Sequence, residues 1–250
     1  QHYSFSMDRV FFEDLRLPEP KYHLNVGSGN HGEQTGAMLA GIERIFSSDM
    51  PDTVLVQGDT NTVLAGSLVA SKSPAKLGHV EAGLRSFDRS MPEEVNRVVS
   101  DHLSDLLFAP TPTAHGNLMR EGIDSGMVHI TGNTVVDALK AHVALSEERF
   151  GEEPVTGREY VLVTSHRQEN VDNPLRLKAI LSAMGHLSGE FGMDVVFPAH
   201  PRTVKMMAQF GYTPPEGVSV IDPVGYLRFL QMEAKASLIV TDSGGIQEEA

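Results

Sequence analysis

Short apolar runs alternate along this chain with stretches whose apolar residues recur at helical spacing, and few folds accept that pattern. The runs "YHLNV" (22–26), "TVLVQ" (53–57), "KLGHVE" (76–81), "DLLFA" (105–109) and "MVHIT" (127–131) read as strands, with helical patterns over 33–47, 61–72, 92–104, 112–121 and 134–149. Such strands are apolar on both faces, as a parallel sheet covered by helices requires. After the polar segment "RFGEEPVTGRE" (149–159) the rhythm restarts with "YVLVTS" (160–165), "MDVVFPA" (193–199), "VSVID" (218–222) and "SLIVTD" (237–242). The segment predicts a boundary between a first domain, 1–152, and a second, 153–250. The expected class is α/β: two Rossmann-like, doubly wound parallel sheets that bind ligands at the carboxyl ends of their strands, in the cleft between domains.

A chain of 250 residues with 40% hydrophobic content can bury such cores. No long apolar window and no charged start followed by an apolar stretch is present, so neither a membrane span nor a signal peptide is expected, and the cytoplasm is the default location. The absence of cysteine excludes disulfides, thiolate metal sites and a cysteine nucleophile. A formal charge of −13 speaks against general affinity for nucleic acid, whose phosphates need clustered Lys and Arg. There is no GxGxxG, GxxxxGK[ST] or HExxH. The chain opens on Gln1 and stops soon after "SGGIQEEA" (243–250) begins a helix, which predicts a fragment of a longer protein.

The unusual residues follow the strands. "VQGDT" places Asp59 at a strand end, with Gly58 for a tight turn and Thr60 as N-cap of the next helix; taken alone, Asp59 reads equally as a capping residue. "HVEAGLR" places Glu81 at the next strand end, where a carboxylate needs Arg85 as a partner or a functional task. "MPEEVNR" opens a helix with Pro92 in its first turn and Glu93 and Glu94 at the positive end of the dipole. Val95, Val98, Val99, Leu103 and Leu106 at helical spacing predict its buried face, and a surface pair of Glu93 with Arg97 at i, i+4 accounts for both charges.

In the second half, "VTSHRQEN" carries His166, Arg167 and Glu169 off a strand, where an imidazole can meet a ligand phosphate or serve only structure. "FPAHPR" repeats the arrangement with His200 and Arg202. "TDSGGIQEEA" opens a helix with Ser243, Gly244 and Gly245; its free N–H groups suit an anion, though an ordinary glycine turn looks the same.

Together the blocks "QHYSFSMDRVFF", "QGDTNTVLAG", "GHVEAGLRSFDRSMPEEVNR", "DLLFAPT", "HITGNTVVDA", "TSHRQENVDNPLRL", "FPAHPRT" and "TDSGGIQEEA" resemble, in order and over the whole chain, the non-hydrolysing UDP-N-acetylglucosamine 2-epimerases, which have a GT-B-like fold. Family members begin with a strand and a Gly-Thr-Arg-Pro-Glu loop and continue past "SGGIQEEA"; this chain shows neither part.

The resemblance implies an isomerase that interconverts UDP-GlcNAc and UDP-ManNAc by eliminating UDP to 2-acetamidoglucal and adding it back, without redox cofactor or metal. It assigns Asp59, Glu81 and Glu93 to the acidic catalytic set and His166 to the departure of UDP. Spacing does not choose between Glu93 and Glu94; Glu93, directly after the proline, is favoured. Arg97 is implied beside the acids, and Ser243, Gly244 and Gly245 at the diphosphate. Glu249 is implied at the ribose, His200 in the cleft, and Tyr226 or Phe229 near uracil. Gln1 and His2 resemble a segment that in some bacterial relatives binds a regulatory UDP-GlcNAc. A homodimer, acting in cell-surface polysaccharide synthesis, is implied as well. A variant substrate such as a diacetamido-uronic sugar fits the same motifs. A glycosyltransferase of this fold would have less need of three acids, and a nucleotide-sugar sensor could dispense with them.

Overall fold

The computed structural model describes residues 9–151 and 155–250; the expected regulatory residues Gln1 and His2 lie outside them. A short helix α1 (Arg9–Asp14) precedes α2 (His31–Ser48). Then strands and helices alternate as β1 (Thr53–Gln57), α3 (Asn61–Ala70), β2 (Lys76–Val80), α4 (Pro92–Leu103), β3 (Leu106–Ala109), α5 (Pro112–Arg120) and β4 (Val128–Ile130), followed by α6 (Thr134–Phe150). The second series runs β5 (Tyr160–Thr164), α7 (Gln168–Val171), α8 (Pro174–Phe191), β6 (Asp194–Pro198), α9 (Pro201–Phe210), β7 (Val218–Ile221), α10 (Tyr226–Lys235), β8 (Leu238–Thr241) and α11 (Gly244–Glu249).

All pairings within the two four-stranded sheets are parallel. Parallel neighbours cannot be joined by a tight turn, so each connection passes through a helix. The first sheet runs β1-β2-β3-β4, whereas the second runs β7-β6-β5-β8, so its strand order reverses between β5 and β8. Such a reversal leaves a crevice at the carboxyl ends of the two strands concerned, where α/β sheets bind ligands.

β5 shows why these runs are apolar throughout. Val161 and Val163 pack on one face with Leu177, Leu181, Met184 and Phe197, while Tyr160 and Leu162 pack on the other with Val196 and Met232. In the first sheet, Val56, Val63, Ala70 and Leu77 form one cluster, and Leu107, Ala109, Ala114, Leu118 and Val128 another. β1 is an edge, and its Leu55 is 64% exposed.

The strand expected at 22–26 does not form. Asn25 has φ +52°, which an extended run cannot contain, and no strand pairs with the segment among the described residues. Leu24 instead lies over Gly41 of α2, where an added Cβ would meet its Cδ2 at 2.8 Å. The buried side of α4 also differs from its apolar spacing: Val95 is 39% exposed, while Glu94, Asn96, Ser100 and Asp101 are buried. Val98 and Val99 are half-buried and Leu103 packs on an apolar cluster, as expected, but Glu94, Asn96 and Asp101 face a polar network, described below.

The chain divides into two compact units, Gln1–Thr134 and Val135–Ala250. Almost all of α6 therefore belongs with the second unit. There Ser146 Oγ donates to the Leu227 carbonyl (2.6 Å), His142 meets Tyr226 edge-on, and Arg228 lies over the Phe150 ring.

Candidate active site

In the first unit, β1 and β2 end side by side, Gln57 opposite Val80, so the segments that follow them are neighbours. Gly58 turns the chain at φ +80° into Asp59 and the start of α3. Thr60 occupies the N-cap position without a side-chain cap bond. After β2, Glu81 itself has φ +69°, a left-handed backbone that costs a non-glycine residue about 1–3 kcal/mol. Two residues on, a Cβ on Gly83 would sit 2.3 Å from the Ala114 carbonyl oxygen, so only glycine fits there. The Glu81 carboxylate accepts from the Gln57 side-chain amide at 2.9 Å, and the same amide donates to Thr134 Oγ1 (3.2 Å).

Among the described residues, neither Glu81 with Arg85 nor Glu93 with Arg97 forms an ion pair. Arg85 turns away from Glu81 to bind Asp101 and Glu121. Burial acts to lower the pKa of its guanidinium, but the bonds to Glu121 and Asp101 outweigh this and hold it above its usual value. Arg97 donates from Nε (3.2 Å) and Nη2 (2.7 Å) to Asp59 Oδ2, and from Nη1 to Glu94 Oε2 (2.9 Å). Asn96 Nδ2 donates to the Asp59 carbonyl at 2.8 Å, which fixes the backbone of the same turn.

The two adjacent glutamates of α4 separate cleanly. Glu94 is buried and accepts from the Ser86 amide (2.9 Å), the Ser86 hydroxyl (3.1 Å) and the Phe87 amide (3.0 Å), anchoring the loop before the helix. Burial alone would raise its carboxyl, but these donors and Arg97 hold it below the usual range. Glu93 stands exposed on the first turn. A carboxylate tied by backbone donors serves the loop, and an exposed one is available to a ligand.

In the second unit the strand-order reversal brings Thr164 and Thr241 level, their hydroxyl oxygens 2.7 Å apart, so His166 and Ser243 both emerge at the crevice. Asp242, which the sequence reading passed over, organises it. Its carboxylate accepts from the His166 amide (3.1 Å), the Arg167 amide (3.2 Å), Ser165 Oγ (3.0 Å) and Asn170 Nδ2 (2.9 Å), and lies 3.0 Å from His166 Nδ1. Burial works to raise this carboxyl; the four donors prevail and keep it below its usual value. A carboxylate on Nδ1 fixes the ring and leaves Nε2 as the working nitrogen. The readable signal for Asp242 was its position, a charged residue at a strand end directly before the Ser-Gly-Gly turn.

Ser243 Oγ caps α11 by accepting from the Ile246 amide (3.5 Å). A Cβ on Gly244 would meet nothing within 4 Å, and on Gly245 only Ser243 Oγ at 3.9 Å, so packing within the chain does not demand these glycines. His166, His200 and Phe229 line a small cavity of about 190 Å³ with Thr164, Ser165 and Val224. Tyr226 is placed elsewhere: its hydroxyl lies 3.5 Å from Glu249 Oε1 and 3.3 Å from His142 Nδ1. Burial, then Glu249 and Glu233, push the Tyr226 phenol up to about 12. Glu233, also unread in the sequence, has both carboxylate oxygens buried without a hydrogen bond among the described residues; burial, then Glu249, push it up to about 7.

A family model described as UDP-N-acetylglucosamine 2-epimerase matches residues 1–250. The chain belongs to that family. Among the epimerases it is 50% identical to the UDP-N-acetylglucosamine 2-epimerase of Methanococcus maripaludis and 51% identical to that of Methanocaldococcus jannaschii, each comparison spanning 100% of this chain and 71% of the relative. A UDP-2,3-diacetamido-2,3-dideoxy-D-glucuronate 2-epimerase of Pseudomonas aeruginosa is 41% identical over 100% of this chain and 70% of its own. The solved M. jannaschii UDP-GlcNAc 2-epimerase superposes with a TM-score of 0.88 at 51% identity, covering 98% of this chain and 70% of that one. A structure from the same organism in complex with UDP-GlcNAc and UDP gives 0.79. The two parallel-sheet α/β units are thus those of the GT-B-like epimerases. Among the described residues, no helix is long and apolar enough to cross a membrane.

Proposed function

We propose that this member of the family interconverts UDP-GlcNAc and UDP-ManNAc by elimination and re-addition of UDP. In the forward half, a carboxylate takes the proton from C2, the C1–O bond breaks with its electron pair leaving on UDP, and a C1=C2 double bond forms in 2-acetamidoglucal. On return, UDP oxygen re-forms the bond to C1 and a carboxylic acid delivers a proton to the other face of C2. The C2 hydrogen is weakly acidic, so a positioned base and acid are needed, each typically contributing about 10² to 10⁴-fold.

Asp59, Glu81 and Glu93 supply the proton transfers in this reading. One observation carries it: Glu81 is held in a strained backbone with its carboxylate on the neutral Gln57 amide, where a structural ion pair would have used the nearby arginine. Strain of that kind persists where the surroundings enforce it and marks functional positions. Arg97 holds Asp59. His166, oriented by Asp242, donates a proton or hydrogen bond to the departing diphosphate from Nε2. Ser243, Gly244 and Gly245 give the diphosphate close approach to backbone N–H groups, Glu249 takes the ribose hydroxyls, and His200 with Phe229, of the two aromatic candidates, completes the nucleotide contacts. The acids lie in one unit and the nucleotide binders in the other, and the reaction needs both sets.

The higher identity to the two archaeal UDP-N-acetylglucosamine 2-epimerases favours UDP-GlcNAc over the diacetamido-uronic sugar. We further propose a cytoplasmic homodimer that supplies cell-surface polysaccharide synthesis, as the family resemblance implies. Incubation of the intact protein with UDP-GlcNAc, followed by proton NMR of the anomeric region, tests the reading. Appearance of UDP-ManNAc supports it, and recovery of unchanged UDP-GlcNAc alone overturns it.

A further inference from the structure

A histidine that the proposed chemistry does not use lies behind the acids of the first unit. His79, the next-to-last residue of β2, has 0% of its surface exposed. Its Nδ1 is 2.6 Å from Asp101 Oδ1 and its Nε2 is 2.8 Å from the Gly58 carbonyl oxygen. A peptide carbonyl only accepts. Asp101 Oδ2 receives the Gly83 amide at 3.1 Å and lies 2.7 Å from Arg85 Nη2, so Asp101 is a carboxylate and accepts as well. Both ring nitrogens therefore face acceptors, and the ring satisfies both only with hydrogen on each, as the imidazolium.

The charges around it balance. Arg85 bonds Glu121 from Nε and Nη2, both at 2.7 Å, and Glu121 Oε2 is 3.4 Å from His102 Nε2. Two cations, His79 and Arg85, thus meet two carboxylates, Asp101 and Glu121, which is what burial of an imidazolium demands.

Gly58, His79 and Asp101 each sit next to a segment that carries an acid or the arginine holding one. Gly58 precedes Asp59 and is also bonded through its amide to the Val80 carbonyl (3.2 Å). His79 precedes Glu81 by two residues on the same strand end. Asp101 lies one helical turn beyond Arg97, which holds Asp59. We infer that His79 is a positioning residue: its ring, donating at both nitrogens, clamps the Gly58 carbonyl to Asp101 and so sets the spacing between Asp59 and Glu81. Misplacement of a reacting group by about 1 Å can cost about 10²-fold in rate.

The role in catalysis rests on the epimerase reading, whereas the state of the ring rests on the hydrogen bonds alone, and two measurements keep these apart. In the intact, unsubstituted protein, nitrogen-15 NMR of the histidine side chains at neutral pH should show one ring with N–H at both positions, in slow exchange with solvent. No buried ring of that kind would overturn the proposal whether or not the protein is active. For His79→Gln, which keeps a donor but loses the second one and the charge, the expected result is a kcat about 10- to 100-fold lower. KM for UDP-GlcNAc and the calorimetric Kd for UDP should stay within about threefold, because nucleotide contacts are not involved. An unchanged kcat in a wild-type-active background, or equal losses in kcat and UDP affinity, would overturn the positioning role. An unsubstituted protein that never forms UDP-ManNAc would overturn the functional reading and this role with it, and the NMR result would stand by itself.

Discussion

Arg97 is shared between two carboxylates, with Nη2 2.7 Å from Asp59 Oδ2 and Nη1 2.9 Å from Glu94 Oε2. One guanidinium thus couples an acid assigned to chemistry with an acid that anchors a loop, and the planar fork is what allows both bonds at once. Arg97→Lys keeps the charge but cannot span the two. We expect turnover of UDP-GlcNAc to fall by about 10² in that variant, with little change in UDP affinity. Steady-state kinetics decide it, and wild-type turnover would show that Arg97 serves only as a charge.

The adjacent glutamates should respond in opposite ways. Glu94→Gln removes charge from hydrogen bonds typically worth about 1.5–3 kcal/mol each and should lower the melting temperature by several degrees. Its folded-state pKa is depressed, so the stability it gives is present above the unfolded pKa of about 4.5 and is lost as pH falls through the folded value. The variant should accordingly lose less on acidification than the wild type. Glu93→Gln should leave the melt unchanged and reduce turnover. Thermal melts across pH 3–7, paired with rates, separate the two.

Glu233 has the reverse sign. A carboxyl raised to about 7 is neutral in the folded protein and ionised in the unfolded chain between its ordinary pKa near 4.5 and that value, so stability falls as pH rises across this window. Glu233→Gln should flatten the decline. A slope identical to that of the wild type would mean that the carboxyl is solvated in solution.

The division of labour between the units is measurable through UDP alone. Asp59→Asn and Glu81→Gln should cut turnover by about 10² or more and leave UDP binding nearly intact. Glu249→Ala should weaken UDP by roughly the 1.5–3 kcal/mol of a charge-assisted hydrogen bond. Equal loss of UDP affinity in all three variants, by calorimetry, would contradict the assignment.

Much of this was legible in the residues. Apolar runs such as Tyr160–Thr164 are buried on both faces and so betray parallel strands, and the chemistry-bearing residues follow strand ends because that is where such sheets open. Besides Asp242 and Glu233, three things were not. The run at 22–26 has strand composition, but a strand also needs a neighbour and an extended backbone, and among the described residues Asn25 has neither. The valines of α4 suggested an apolar buried face, whereas Glu94 is buried by the loop that folds back onto it, and Asn96 and Asp101 by partners distant in sequence. The i, i+4 spacing of Glu93 and Arg97 proposed a pair that Asp59, brought close only by the fold, displaces. Local rules find elements and strand ends; which of the two adjacent glutamates is free to act depends on how the loop before α4 folds back, bringing the Ser86 and Phe87 amides onto Glu94.

Deuterium incorporation bears most directly on whether the first-unit acids move the C2 proton. With the intact protein and UDP-GlcNAc in heavy water, abstraction and return by exchangeable carboxylates should place deuterium at C2 of both the GlcNAc and the ManNAc forms, and Glu81→Gln should slow its entry together with epimerisation. UDP-ManNAc formed with full retention of protium at C2 would contradict the elimination.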